Sequence, residues 1–241
     1  MKALPGNKDI PFTSFQGKVV IVTGGASGLS RCYSLAFARL GAFVVVNDLA
    51  DPDDVVQQIL HEGGDAIGGK SSVDNGSHIV QKALDKNGHV DILINNAGFV
   101  RDKSFVKMDD DLWDSILNVH LNGAYQMTKT VWPHFVQRQR GTIINTTSTS
   151  GIYGNFGQSN YSTAKLGILG LSEATAQTGQ EYNIKVNTIA PVASTGALAV
   201  ALAGSNDKNK KPVFKPEYIV PIVLLLSSML LHGFIFAAVL R

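Results

Sequence analysis

One cysteine, Cys32, stands in 241 residues. It excludes an internal disulfide and, with it, the small stapled scaffolds of oxidising compartments. Charge is also scarce: Asp, Glu, Lys and Arg make up 17% of the chain, against ~25% in ordinary globular domains. The 21 basic and 19 acidic residues leave a net charge of only +2, which provides no basic face for nucleic acid. The six histidines form no His-x-x-x-His pair and have no cysteine partners, so no structural metal site is expected. Residues 1–16 lack the apolar run and small-residue cleavage site of a secretory leader. Residues 219–240 contain no Asp, Glu, Lys or Arg and match the ~20 residues that span a bilayer. Pro221, Ser227, Ser228, His232 and Gly233 break that run. It is therefore expected to divide into a buried helix (216–228) and a buried strand (234–240), with no membrane span.

Apolar material, by contrast, is ample. Hydrophobic residues are 44% of the chain and glycines number 24, enough for one sizeable core with many tight turns. Short β-branched runs alternate with longer helical stretches. Val19-Val-Ile-Val22 and Phe43-Val-Val-Val46 are continuous apolar runs, as expected for strands buried on both faces of a parallel sheet. Further strands are expected near 66–73, 91–94, 142–145, 184–189 and 234–240, with helices over 29–40, 53–61, 79–86, 109–137 and 161–178 between them. Gly123 and Pro133 should interrupt the longest helix. The predicted architecture is one doubly wound α/β domain over 17–241, a mostly parallel seven-stranded sheet with helices on both faces. Residues 1–16 would form an extension. Residues 193–212 would be a long excursion at a strand's C-terminal end, where such sheets bind ligands.

Two patterns carry chemistry. Thr23-Gly-Gly-Ala-Ser-Gly-Leu-Ser30 lies between the first strand and the first helix. Backbone N–H groups around Gly24, Ser27, Gly28 and Leu29 would approach a pyrophosphate there, aided by the helix N-terminus. Asp48, twenty residues past Gly28, ends the second strand, where a carboxylate accepts the hydroxyls of an adenosine ribose. Neither Lys nor Arg occurs between Gly41 and Asp65 to favour a 2′-phosphate, so NAD rather than NADP is expected. The second pattern is Tyr161-Ser-Thr-Ala-Lys165. An i,i+4 pair shares a helix face, and a cation beside a phenol, joined here by the positive charge of a bound nicotinamide, lowers its pKa. Tyr161 can then accept a proton from an alcohol, with Ser148, thirteen residues earlier, hydrogen-bonded to the same oxygen.

Together with Asn95-Asn-Ala-Gly98, these residues resemble, in order and spacing, the short-chain dehydrogenase/reductase family, whose fold is the Rossmann type. The stretches 148–161 and 214–221 are similar to the dehydrogenase domains of multifunctional peroxisomal β-oxidation enzymes. That resemblance implies NAD-dependent oxidation of (3R)-3-hydroxyacyl-CoA to 3-ketoacyl-CoA, and homodimers joined through the long helices. It also implies membership of a multidomain enzyme and a peroxisomal location; without it a cytoplasmic one would be the expectation. Ser148, Tyr161 and Lys165 would be the catalytic set. Val73 and Asp74 would edge the adenine, and Asn95, Ala97, Gly98 and Pro191 would line the cofactor cleft. Three features depart from the family's pattern. Ser30 replaces its third loop glycine and is expected to weaken NAD binding by spoiling close helix–strand packing. His120 stands where its helix asparagine falls and would either hold a proton-relay water or serve as a packed helix histidine. The last strand ends in Ala-Ala-Val-Leu-Arg241 rather than consecutive glycines. The charge run Lys208, Lys210 and Lys211 reads as a solvated face rather than a coenzyme A contact. Two other readings stand beside the leading one: a weakly active NAD-binding dimerisation module, and a dehydrogenase of another secondary alcohol.

Overall fold

The computed structural model describes residues 14–191, 215–228, 233 and 235–238. Its sheet has seven parallel strands: β1 (Val19–Thr23), β2 (Phe43–Asn47), β3 (Asp65–Gly69), β4 (Ile92–Asn95), β5 (Gly141–Thr146), β6 (Ile184–Pro191) and β7 (Ile235–Ala238). They lie in the order β3-β2-β1-β4-β5-β6-β7. The chain therefore winds outward from β1 to β3, then returns to β4 on β1's other side. The connections leaving β1 and β4 diverge, and the crevice between them opens at the strands' C-terminal ends.

The apolar runs explain why both faces are covered. In β1, Val20 and Val22 join one core cluster while Val19 and Ile21 join the other, the period-two alternation of a strand. On the first face lie α1 (Gly28–Arg39), α2 (Asp53–His61) and α8 (Val220–Ser228), contributing Phe37, Ile59 and Leu224 to its cluster. The second face takes α3 (Gly76–Asn87), α5 (Gly123–Arg138) and α7 (Ser159–Gly179), with Ile79, Met127, Phe135 and Ala176 packed together. Phe15, assigned from sequence to the extension, is buried against Phe37 with ring centroids 4.9 Å apart. The core thus begins before Gly17.

Three expectations need correction. The third strand stops at Gly69 rather than Val73, because its partner β2 ends at Asn47, opposite Gly69, and the ladder has nothing further to pair with. The helix expected over 109–137 is two helices, α4 (Asp110–Leu117) and α5, joined by a π-helical turn, Asn118–Asn122. Pro133 lies inside α5 without ending it. Gly123 serves packing rather than interruption: a Cβ there would sit 2.4 Å from Val73 Cγ2. A five-residue helix, α6 (Thr149–Tyr153), had no sequence signal. The run over 219–240 divides as expected into α8 and β7, and among the described residues no helix is long and apolar enough to cross a membrane. The 193–212 segment, Lys208, Lys210, Lys211 and the C-terminal Leu240-Arg241 lie outside the described residues.

Candidate active site

The cofactor side is built around Thr23. Its hydroxyl donates to the Ile94 carbonyl (3.1 Å) and accepts from the Asn96 and Ala97 amides (3.0 and 3.1 Å). One buried hydroxyl therefore joins the phosphate-type loop to the segment after β4. Gly24 has φ +69°, and a Cβ would meet Ala97 Cα at 2.9 Å, so only glycine fits. Ser27 is the exposed N-cap of α1, yet its hydroxyl caps no backbone group, and no acidic side chain stands in the helix's first turn. Its donors and the helix's positive end are thus available to a phosphate. Gly28 takes φ +55°. The Leu29 side chain is buried in the core, leaving only its backbone for a ligand.

Asp48 accepts from the Ala26 amide through Oδ2 and from the Ala50 amide through Oδ1, both at 3.0 Å. A carboxylate has about four acceptor positions, so two remain for a ribose diol. Asp74 lies with Lys70, Ser71 and His78 around an open depression beyond β3. Val73 lines a small inner cavity with Thr23, Ala97, His120, Thr146 and Lys165. Pro191 ends β6, paired with Ala238 of β7. Gly98 is exposed, and a Cβ on it would collide with the His120 ring at 2.0 Å. Asn95 borders the inner cavity, but its side-chain amide is committed inward. It donates to Asn145 (2.9 Å) and Thr128 (3.2 Å), and Asn145 donates on to Ser172 (2.8 Å).

Ser30 is tied into both loops by its side chain. It is fully buried, and its hydroxyl donates to the Thr23 carbonyl (2.9 Å) while accepting from the Asn96 side-chain amide (2.6 Å). The serine forms a bridge between the two cofactor-side loops, with both of its polar interactions satisfied.

The catalytic-type side chains converge from three elements. Ser148 is the N-cap of α6 and accepts from the Ser150 amide (3.1 Å). Its hydroxyl also faces the Tyr161 phenol closely enough to favour the phenolate. Tyr161 and Lys165 lie on α7, with the Lys165 ammonium 5.6 Å from the Tyr161 ring centroid. Buried Asn160 fixes the start of α7 by donating to the Leu112 carbonyl of α4 (3.2 Å). Lys165 donates to the Thr146 carbonyl (2.7 Å), and its burial pulls its pKa down to about 7.

His120, on the π-helical turn, presents its ring edge to Tyr161 at 5.2 Å and an interplanar angle of 89°. Its Nε2 is 2.7 Å from the Phe99 carbonyl, the tighter of its two contacts with Phe99, which assigns the proton to Nε2. Nδ1 is then a buried acceptor with no hydrogen-bond partner. Burial, reinforced by the Lys165 charge, pushes the His120 pKa down to about 3. The ring is neutral at physiological pH, able to accept at Nδ1 but not to act as an acid. Asn118 and Asn122 bond each other (2.8 Å) on another face.

The lowering of the tyrosine pKa was expected with a bound nicotinamide, and the chain without cofactor does not test it. In that chain burial raises the Tyr161 pKa, the neighbouring Ser148 hydroxyl only partly opposes it, and the Asp102 carboxylate adds to the rise. Sequence reasoning weighed the charges of Lys165 and the nicotinamide and not the loss of solvent. It also missed Asn96 and Asn145, and the Thr146 carbonyl. Asn96 stood inside a quoted motif, whereas a carbonyl acceptor leaves no mark on residue type. Among the described residues no group of His, Cys, Asp and Glu could hold a metal.

Known proteins match this arrangement along the chain. It is 53% identical over 224 residues to the peroxisomal hydratase-dehydrogenase-epimerase of Neurospora crassa, covering 93% of this chain and 24% of that protein. With the peroxisomal multifunctional enzyme type 2 of Mus musculus it shares 45% identity over 87% of this chain and 30% of that protein. The chain thus spans a quarter to a third of these relatives. The crystal structure of a short chain dehydrogenase from Mycobacterium avium superposes with a TM-score of 0.82 at 32% identity, over 94% of this chain and 84% of that one. The sequence model of the short chain dehydrogenases matches residues 18–205, and with the parallel sheet, the glycine loop and the Ser148–Tyr161–Lys165 cluster in place, the chain belongs to that family.

Proposed function

We propose that the chain oxidises the 3-hydroxyl of a (3R)-3-hydroxyacyl-CoA to the 3-ketone, using NAD. The observation that carries the reading is the convergence of Ser148, Lys165 and His120 on one partly buried phenol, Tyr161. It sits beside a glycine loop whose exposed helix N-terminus and ribose-facing carboxylate suit a dinucleotide. The relatives named as β-oxidation enzymes supply the substrate class. When bound, the nicotinamide accepts hydride and brings a positive charge that favours phenolate. Tyr161 Oη takes the hydroxyl proton, Ser148 holds the same substrate oxygen, and Lys165 steadies the phenolate and the adjoining ribose. His120 Nδ1 accepts the relay hydrogen bond on the far side of Tyr161. The two free acceptor positions of Asp48 and the absence of cations from 42–64 support NAD over NADP. A homodimer, a place in a longer multidomain enzyme and a peroxisomal location belong to the same reading. The deciding experiment follows NADH formation on separately supplied 3R and 3S 3-hydroxyacyl-CoA. Turnover of the 3R form is expected; cofactor binding with no NADH from either would leave a binding module, and turnover only of other secondary alcohols would move the substrate class.

A further inference from the structure

Gln158, the residue that precedes α7, is buried at 7% exposure, yet its side chain does not cap the helix. Its Nε2 donates instead to the two carboxylate oxygens of Asp102, on the loop after β4, at 3.1 and 3.2 Å. Hydrogen bonds to a charged acceptor are roughly twice as strong as neutral ones. Oε1 of the same amide is buried without a partner among the described residues, so Asp102 alone orients the side chain. The backbone repeats the link one residue earlier, where the Lys103 amide donates to the Gly157 carbonyl (2.9 Å). Gly157 has φ +77°, a left-handed conformation that glycine takes without strain.

Tyr161 stands three residues past Gln158, in the helical turn that this link fixes. The Gln158 carbonyl accepts from the Ser162 amide (2.7 Å), a bond that opens α7. A second tether, from Asn160 to the Leu112 carbonyl, ties the same turn to α4. The loop that carries Asp102 also carries Phe99, whose carbonyl and amide lie 2.7 and 3.2 Å from His120 Nε2. One loop therefore reaches both rings of the site, His120 through Phe99 and Tyr161 through Asp102 and Gln158. We infer that Asp102 is a positioning residue for the reaction: by gripping Gln158 it fixes the first turn of α7, and with it the Tyr161 phenol, against the loop that holds His120. The inference rests on Tyr161 as the base proposed above. Asp102 is itself exposed, and replacing an exposed side chain costs little stability, so its variants fold and the geometric effect can be read.

The test measures NADH formation from (3R)-3-hydroxydecanoyl-CoA and, in the NAD-loaded protein without substrate, hydrogen exchange of the Ser162 amide by NMR. Asp102→Ala and Gln158→Ala should each lower kcat about tenfold, less than the roughly 10²-fold cost of a ~1 Å misplacement, because the Asn160 tether remains. KM for NAD and for the acyl-CoA should stay within about twofold, since substrate binding is not what the latch provides. Removing both side chains should cost no more than removing either, because they act as a unit. Asp102→Asn keeps an acceptor for Gln158 and should recover most of the rate. Ser162 exchange should quicken in the two alanine variants and return toward wild type in Asp102→Asn. Asp85→Ala breaks a glutamine–aspartate bond of the same kind on α3, from Gln81 at 2.7 Å, and should change neither readout. A loss of kcat that Asp102→Asn fails to recover would overturn the inference, as would unchanged Ser162 exchange in Asp102→Ala or a raised KM at full kcat. Quickened exchange with no NADH from the wild type would sink the proposed reaction and keep the latch on α7. NADH from the wild type with Asp102→Ala at full rate would do the reverse.

Discussion

Replacing Ser30 by the glycine its family usually carries there should weaken this protein, although the family pattern alone would lead one to expect an improvement. The reason is the pair of hydrogen bonds at a fully buried hydroxyl, 2.9 Å to the Thr23 carbonyl and 2.6 Å from the Asn96 amide. Each neutral hydrogen bond contributes about 0.5–1.5 kcal/mol net, and a buried group left unpaired costs about 1–3 kcal/mol. Ser30→Ala strips both partners without changing backbone freedom, so a loss of about 2–4 kcal/mol is expected. Ser30→Gly adds the backbone entropy of glycine in a helix, up to ~1 kcal/mol more. Urea unfolding of the cofactor-free protein measures this, with a lower midpoint at unchanged slope. NAD titration should show binding about three- to tenfold weaker, since the bridge aligns the two loops that flank the cofactor. A Ser30→Ala, Asn96→Ala cycle should give a coupling of about 1 kcal/mol. Tighter NAD binding by Ser30→Gly, or unfolding midpoints equal to wild type, would refute the bridge and restore the view that the serine is a packing defect.

Three further outcomes are expected. Tyr161→Phe keeps the ring contact with His120 but removes the proton acceptor, so turnover should fall by about 10²–10⁴-fold with NAD affinity little changed; retention of more than a tenth of the rate would place the acceptor elsewhere. Asp48→Ala combined with Leu49→Arg should shift preference toward NADP, and a wild type already favouring NADP tenfold, about 1.4 kcal/mol, would contradict the ribose assignment. Buried His120, at about 3 in the fold against 6.5 free, binds its proton first in the unfolded chain. Stability should therefore decline as pH falls from 6.5 toward 3, by up to ~1.4 kcal/mol per pH unit from this group. Lys165, at about 7 against 10.5, gives stability that rises with pH between those values. His120→Asn should flatten the acid limb and Lys165→Met the alkaline one in pH-dependent unfolding, and unaltered limbs would dismiss these assignments.

Most of the sheet was legible because its strands are buried on both sides. Val19–Thr23 and Phe43–Asn47 are wholly buried, and only a continuous apolar run satisfies that environment. The strand near 66–73 was misjudged at its end because β-character continues locally to Val73, whereas the ladder depends on where a distant strand stops. The π-helical turn was invisible for a related reason. Helical periodicity runs through 110–138, and one added residue per turn at 118–122 alters the facing of His120 without altering composition. Ser30 shows the limit of pattern matching. A departure from a glycine motif signals lost packing unless the partner amide of Asn96, sixty-six residues away, is known to receive it.

The titrating groups show the same limit in energetic form. Spacing places Lys165 beside Tyr161 and suggests a phenol ready to ionise, but spacing is silent on how much water the fold removes. Burial raises Tyr161, lowers Lys165 to about 7 and lowers His120 to about 3. All three shifts run toward the neutral form, as desolvation requires. On the function proposed above, Tyr161 stays protonated in the empty site and would become a base once a positive charge enters the cleft. The nicotinamide ring carries that charge in its oxidised form and loses it on reduction. Under the same proposal, Tyr161 would hold the alcohol's proton more weakly beside an oxidised cofactor and more strongly beside a reduced one. Such coupling would let one tyrosine serve both directions, and it would follow from burial rather than from the lysine's position alone.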